Sequence, residues 1–445
     1  MALQLKKFLA SGVCVALFLL VFSIQPAGGH AGLPSFITRQ LDQPDPIVME
    51  MIDQVDQAQV SQLTGNLSGA WPVMISGGPY TITSRHSLSG EPIQMAAQYL
   101  FEYYQELGLA VSMQDFTYSD STLFNVVAEL KGSVFPERVF LITSHYDDMP
   151  ALNLAPGADD NASGTVGVML AAKILSQYDF GCTLRFVNFS GEEQGLRGSS
   201  AYTHQAYCEQ QDQRGVLNLD MIAWNTPQSR PEVELHASLD VPGSTEIAGL
   251  FTQVVDTYGL NLIPALPSPP TYASDHARFW AFDVPAILVI EDLSDFNPNY
   301  HSQNDTLQNV PDLAYYTEMI KASLGTLAHM GCLVEDGWGS LSGIVSDRGT
   351  SHPIEGAQVF LSNPTWGYTF QTITAEDGSF AIPAPAGEHQ MFADARQFSA
   401  SLPLPVTLLP GETSTQNLSL TPAQERSSFL PFAGENAFAP LPGCP

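Results

Sequence analysis

The chain has 445 residues, 44% of them hydrophobic, which is more than one core usually supports, so at least two domains are expected. Sixteen basic residues against 46 acidic ones give a formal net charge of -30, which argues against nucleic acid or an anionic membrane as a partner, since both need a cationic surface.

In chain order, Lys6-Lys7 precede an apolar run over residues 8–24, and Gly29-His30-Ala31 then offers small residues at a cleavage site. Residues 1–31 therefore read as a secretory signal peptide, with an uncleaved N-terminal anchor as the alternative, and the expected location is secreted or extracytoplasmic. Residues 32–48 form an N-terminal segment, and no later stretch is apolar and long enough to insert in a bilayer. Across residues 49–335, short runs rich in Val, Leu, Ile and Phe cover 123–130, 138–143, 184–189, 216–219 and 286–290, each bounded by Gly, Pro, Asn or Asp. That pattern predicts buried strands. Helical spacing covers residues 92–107, with apolar Met95, Ala96, Tyr99, Leu100 and Tyr103, and then 163–178, 199–207, 244–258 and 312–330. Alternation of this kind implies an α/β domain whose mostly parallel sheet is covered by helices on both faces.

The pattern changes near Asp336. Short alternating runs over residues 339–345, 357–361, 371–374, 379–382, 389–395 and 416–420, with turns at Asp347-Arg348-Gly349 and Asp377-Gly378, predict an all-β sandwich over residues 336–421. Residues 422–445 read as a Pro- and Gly-rich tail. Outside the signal peptide the cysteines are Cys182, Cys208, Cys332 and Cys444, which allow three disulfide pairings. Cys182 opens a predicted strand and Cys208 closes the following helix, so this pair suits the geometry, although the sequence does not choose among the three.

Five residues of metal-ligand type follow the predicted strands: His145, Asp159, Glu193, Asp220 and His301. Four lie at or just past a strand's carboxyl end, where ligands bind in open α/β sheets, and Asp159 lies in a longer loop. Two imidazoles and three carboxylates suit zinc, and they can hold two ions if one carboxylate bridges. The expected chemistry is hydrolysis, because zinc makes water ionise near neutral pH. Glu192, beside Glu193, can then carry the proton from the nucleophile to the leaving group. Asp147, two residues after His145 on the same side of an extended strand, is expected to accept the other imidazole hydrogen bond, and Asp305 to do the same for His301. Asp160 or Asn161 is the expected cap of the helix that begins near Ser163.

The order and context of these segments resemble the co-catalytic, two-zinc aminopeptidases of peptidase clan MH, the secreted leucyl-type enzymes among them. The resemblance also rests on Thr83-Ser84-Arg85, on residues 125–130 and 157–164, and on Ser274-Asp275-His276. It implies the phosphorylase/hydrolase-like zinc exopeptidase fold and two zinc ions per chain. It further implies that His145 and Asp220 hold one ion, that Glu193 and His301 hold the other, and that Asp159 bridges them. Glu192 matches the general base, and Tyr300 matches a tyrosine that polarises the scissile carbonyl in some relatives. The substrates implied are peptides with a free N-terminus. The later segment resembles a carboxypeptidase regulatory-like domain, in Gly343-Ile344-Val345, Gly356-Ala357-Gln358-Val359 and Asp377-Gly378-Ser379-Phe380. The alternatives on the same scaffold are a carboxypeptidase or dipeptidase, a glutaminyl-peptide cyclase using one zinc, or a surface-binding protein without activity. Cyclases typically carry Trp where this chain has Tyr300.

Overall fold

The structure, a computed structural model, describes residues 41–151, 154–310, 312–334, 337–363 and 368–423. The predicted signal peptide and residues 424–445 of the predicted tail lie outside the described residues.

Two helices that periodicity had not indicated open the fold, α1 (Pro46–Asp53) and α2 (Gln57–Leu67). The Asp45 side chain caps α1 by accepting from the Ile47 and Val48 amides, and Pro46 starts it, where a missing N–H costs nothing. A small antiparallel hairpin, β1 (Val73–Ile75) and β2 (Gly78–Tyr80), leads to α3 (Glu91–Glu106). The main sheet then runs through β3 (Ala110–Tyr118), β4 (Ser121–Leu130), β5 (Phe135–His145), α4 (Ala162–Leu175), β6 (Cys182–Phe189), α5 (Arg197–Cys208) and β7 (Asp212–Leu219). It continues through β8 (Glu232–Ala237), α6 (Ser244–Tyr258), β9 (Ile263–Ala265), α7 (His276–Trp280), β10 (Ala286–Glu291) and α8 (Leu313–Met330). The strand order is β3-β4-β6-β5-β7-β10-β8-β9. The central strands β6, β5, β7 and β10 are parallel, whereas β4 pairs antiparallel with β6 and β8 with β10.

The central strands are buried on both faces. On β5, Phe140 and Ile142 join a large core with α1, α2, α3, α4, α6 and α8, while Val139 and Leu141 face a second cluster with Tyr202 of α5 and Phe279 and Trp280 of α7. This is the period-two alternation of a strand packed between two helical layers. Asn161 caps α4 by accepting from the Gly164 amide. A Cβ at Gly164 would lie 2.4 Å from the Leu219 carbonyl oxygen, so only glycine lets this first helical turn meet the end of β7.

The C-terminal region is all-β: β11 (Trp338–Asp347), β12 (Gln358–Asn363), β13 (Tyr368–Ile373), β14 (Ser379–Pro385), β15 (Gly387–Asp394), β16 (Phe398–Ser399), β17 (Leu404–Leu408), β18 (Thr413–Thr415) and β19 (Leu418–Pro422). Strands β13-β12-β15-β17 make one sheet, and β14-β11-β19-β16 with β18 the other. Alternate side chains such as Phe380, Ile382 and Ala384 point into the core between them. This region packs on the amino end of β5, where the Phe370 and Phe135 ring centroids are 6.2 Å apart and both rings are buried.

The disulfide pairing differs from the pair that suited the sequence. Cys182 is bonded to Cys332, with Cα atoms 5.4 Å apart, and not to Cys208. Helix α8 returns its end to the start of β6, where the Gly181 and Cys182 amides donate to the Cys332 and Gly331 carbonyls, and this long-range return is invisible to local spacing. Among the described residues no helix is long and apolar enough to cross a membrane.

Candidate metal centre

The carboxyl ends of the parallel strands carry the site. His145 is the last residue of β5, Asp220 directly follows β7, and Glu192 and Glu193 follow β6 after a turn at Gly191, whose φ of +72° suits glycine. His301 lies in the loop beyond β10 with φ 53°, and Met221, next to Asp220, has φ 52°. Left-handed backbone at non-glycine residues costs about 1–3 kcal/mol and gathers at functional sites.

Two clusters form. His145, Glu192 and Asp220 bring their ligand-type atoms within 4.8 Å of one another, and so do Asp160, Glu193 and His301. His145 Nε2 lies 3.2 Å from Asp220 Oδ1 and 3.4 Å from Asp160 Oδ1, while His301 Nε2 lies 3.1 Å from Asp160 Oδ2 and 3.0 Å from Glu193 Oε2. The two oxygens of Asp160 thus face one imidazole each.

Asp159 is the residue the structure does not bring in, which corrects the assignment carried over from the resemblance. Its carboxylate turns away and accepts from the Ala223 amide at 3.0 Å and from Asn297 Nδ2 at 2.8 Å. Asp305 also differs from expectation, since it does not meet His301. It accepts the Asp159 and Asp160 amides at 3.0 Å each, which pins the loop with Asp160 facing inward. Two adjacent carboxylates cannot share one direction on such a backbone, and nothing in Asp159-Asp160 as a doublet says which turns in. Asp147 accepts from the Ser87 hydroxyl at 3.0 Å and from the Glu192 and Glu193 amides at 3.1 and 3.3 Å. His145 Nδ1 lies 3.1 Å from the Asp147 carbonyl and 3.6 Å from its carboxylate, so this residue braces the imidazole mainly through its backbone. Tyr300 stacks on the His301 ring with centroids 3.6 Å apart.

Two residues in segments that carried the resemblance, Arg85 and Ser274, had no role assigned from the sequence and prove to be supports. Buried Arg85 donates to the carbonyls of Tyr146, Leu67, Pro156 and Gly157 at 2.7–2.8 Å, tying the β5 loop to the loop that bears Asp160. Ser274 donates to Asp220 Oδ2 at 2.7 Å.

The electrostatics ask for cations. Burial raises the Glu193 carboxyl, and Asp160 beside it adds to the effect, to about 8. Burial also raises Glu192 well above the carboxylate range. Burial alone would lower His301 and His145, yet Asp160 and Glu193 bring His301 to about 10, and Asp220 and Glu192 hold His145 well above the usual range. Glu193 Oε1 is buried without a hydrogen-bond partner. Four carboxylates, Asp160, Glu192, Glu193 and Asp220, carry as much charge as two divalent ions would balance. With two imidazoles, they form the nitrogen and oxygen set that suits zinc.

Residues 125–324, which contain both clusters, match peptidase family M28. This is an M28 peptidase domain. Residues 340–421, in the β-region after it, match the carboxypeptidase regulatory-like domain. The chain is 29% identical over 235 residues to a probable aminopeptidase of Saccharomyces cerevisiae, covering 50% of this chain and 61% of that protein, so less than two thirds of the relative is spanned. The LapA aminopeptidase of Legionella pneumophila superimposes with a TM-score of 0.55 at 17% identity, over 66% of this chain and 77% of that one. A glutaminyl cyclase of Fimbriiglobus ruber gives 0.51 at 17% identity, over 62% of this chain and 96% of that one. At such identities the M28 domain shares a fold with both, and the fold does not separate their reactions.

Proposed function

We propose that the chain is a zinc-dependent aminopeptidase that removes N-terminal residues from peptides and works outside the cytoplasm. The observation that carries the reading is the Asp160 carboxylate set between His145 and His301, 3.4 and 3.1 Å from their Nε2 atoms. In this reading His145 and Asp220 would hold one ion, Glu193 and His301 a second, and Asp160 would serve both. Zinc supplies Lewis acidity there, which brings the ionisation of water down to roughly neutral pH. Glu192 accepts the proton of the attacking water and hands it to the leaving amine. Its amide is held by Asp147, so the carboxylate has a fixed place beside His145. Tyr300, stacked on His301, donates to the oxygen that gains charge on the scissile carbonyl. The disulfide supports an oxidising compartment.

The relative from Saccharomyces cerevisiae bears the name aminopeptidase, which favours this reaction over the others open to the fold. The test is a panel of aminoacyl, N-blocked and N-terminal glutaminyl peptides, with zinc measured on the same sample. Cleavage of free-amine peptides alone, with about two zinc ions per chain, is the expected result. Cyclisation of glutaminyl peptides with one zinc, or cleavage of N-blocked peptides, overturns it.

A further inference from the structure

Asparagine is an unusual choice for Asn218. It lies on the β7 face that otherwise packs Val216 against Leu141, Val187, Phe189 and Phe279, and it is fully buried. An amide in an apolar layer is costly unless its groups are paired. They are paired in series. Thr143, opposite Asn218 in the β5–β7 register and fully buried, places Oγ1 2.8 Å from Asn218 Oδ1. Asn218 Nδ2 lies 2.8 Å from Ser274 Oγ, and Ser274 Oγ lies 2.7 Å from Asp220 Oδ2.

The direction of this chain follows from its last link. A carboxylate offers only acceptors, so the Ser274 hydrogen points at Asp220 Oδ2. Ser274 Oγ then has only lone pairs to offer Asn218, which must present its NH2 group. The amide oxygen therefore faces Thr143 and needs a donor there. Each group has one orientation open to it, and every link is buried from water.

We propose that Thr143 and Asn218 are positioning residues for the ion held by His145 and Asp220. Through Ser274 they commit Asp220 Oδ2 to a hydrogen bond and leave Oδ1, 3.2 Å from His145 Nε2, as the oxygen that would face the ion. The inference rests on the proposed zinc centre and adds to it a polarity device two residues up the strand. Cutting the relay frees Ser274 to rotate and Asp220 to turn, and this loosens one ion without touching the other. Outer partners of metal ligands are worth about 10–100-fold in affinity.

The experiment is titration of the chelator-stripped full chain with zinc against a chromophoric chelator, which yields two dissociation constants. Asp220→Asn identifies which constant belongs to the His145 side. Asn218→Leu, which suits the apolar layer, should weaken that constant about tenfold or more and leave the other within about twofold. Thr143→Val, nearly the same shape, should weaken it in the same sense, and Thr143→Ser should restore it. If Asn218→Leu does not fold, the Thr143 pair decides. Native constants in folded Thr143→Val, or equal loss at both ions, overturn the relay. A native chain that binds no zinc instead overturns the functional reading on which it stands.

Discussion

Asp159 and Asp160 share a backbone pinned by one carboxylate, Asp305, yet their side chains leave it in opposite senses, toward Asn297 and toward the two imidazoles. Asp160→Asn should therefore weaken zinc binding by more than about 10²-fold, beyond what an outer partner is worth. Asp159→Asn should retain both ions, and metal content after dialysis separates the two; equal loss in both variants would remove the bridging role. Glu192→Gln should keep its zinc and lower kcat at least about 10²-fold, the lower bound for a positioned general base, while Glu193→Gln should lose occupancy at one ion. Full activity in both would end the hydrolase reading. The sequence already pointed to this place: His145, Glu192, Glu193, Asp220 and His301 come from segments that each follow an apolar run, and the structure gathers them. What it could not tell was the aim of a side chain in an irregular loop. Asp160 competed with Asp159 for one role and with Asn161 for the cap, and hydrogen bonds from residues more than 60 positions away, at Ala223, Asn297 and Asp305, decided the matter.

Among the elements, α4 fits closely at the site, because its first turn touches the end of the strand that presents Asp220. Gly164→Ala would put a methyl group 2.4 Å from the Leu219 carbonyl oxygen. Overpacking of this kind costs about 1–3 kcal/mol, and here the yielding part is backbone. The expected outcome is a lower melting temperature together with weaker zinc binding on the His145 side, read by thermal denaturation and by metal titration. An unchanged Tm would show that the helix can back away freely. The buried parallel strands were legible because both faces are apolar, as in residues 184–189, which the structure places within β6. Strand β3 was not legible. It lies at the sheet edge, Ser112, Gln114 and Asp115 interrupt its apolar residues, and its pairing with β4 is a property of the partner. Helices α1 and α2 were missed for a related reason, since one is only 8 residues long and the other mixes Gln, Ser, Thr, Gly and Asn into its apolar stripe.

At the scale of the molecule, β5 is an axis with Phe135 at one end, against Phe370 of the β-region, and His145 at the other. The ten steps from the first to the last of its 11 residues, at about 3.3 Å each, put roughly 33 Å between the two. A chain ending at Val334 should therefore keep its zinc and turn over small substrates within about twofold of native, while losing stability, since Phe135 would be uncovered at about 1.5–3 kcal/mol. Loss of turnover in a soluble, zinc-loaded protein of that length would mean that the β-region completes the site. The bond between Cys182 and Cys332 spans 150 residues, and the loop it closes contains Glu192, Glu193, Asp220 and His301. Leu266 and Tyr272, 52% and 60% exposed, mark the loop after β9 as a place where a protease can enter. One cut there would divide the polypeptide without dividing the molecule, because the disulfide joins the fragment that carries His145 to the fragment that carries His301. On a denaturing gel the nicked protein should run as one species, and only reductant should release two; release without reductant would contradict the pairing. A fold hooped in this way keeps both halves of its candidate site together after its backbone has been broken.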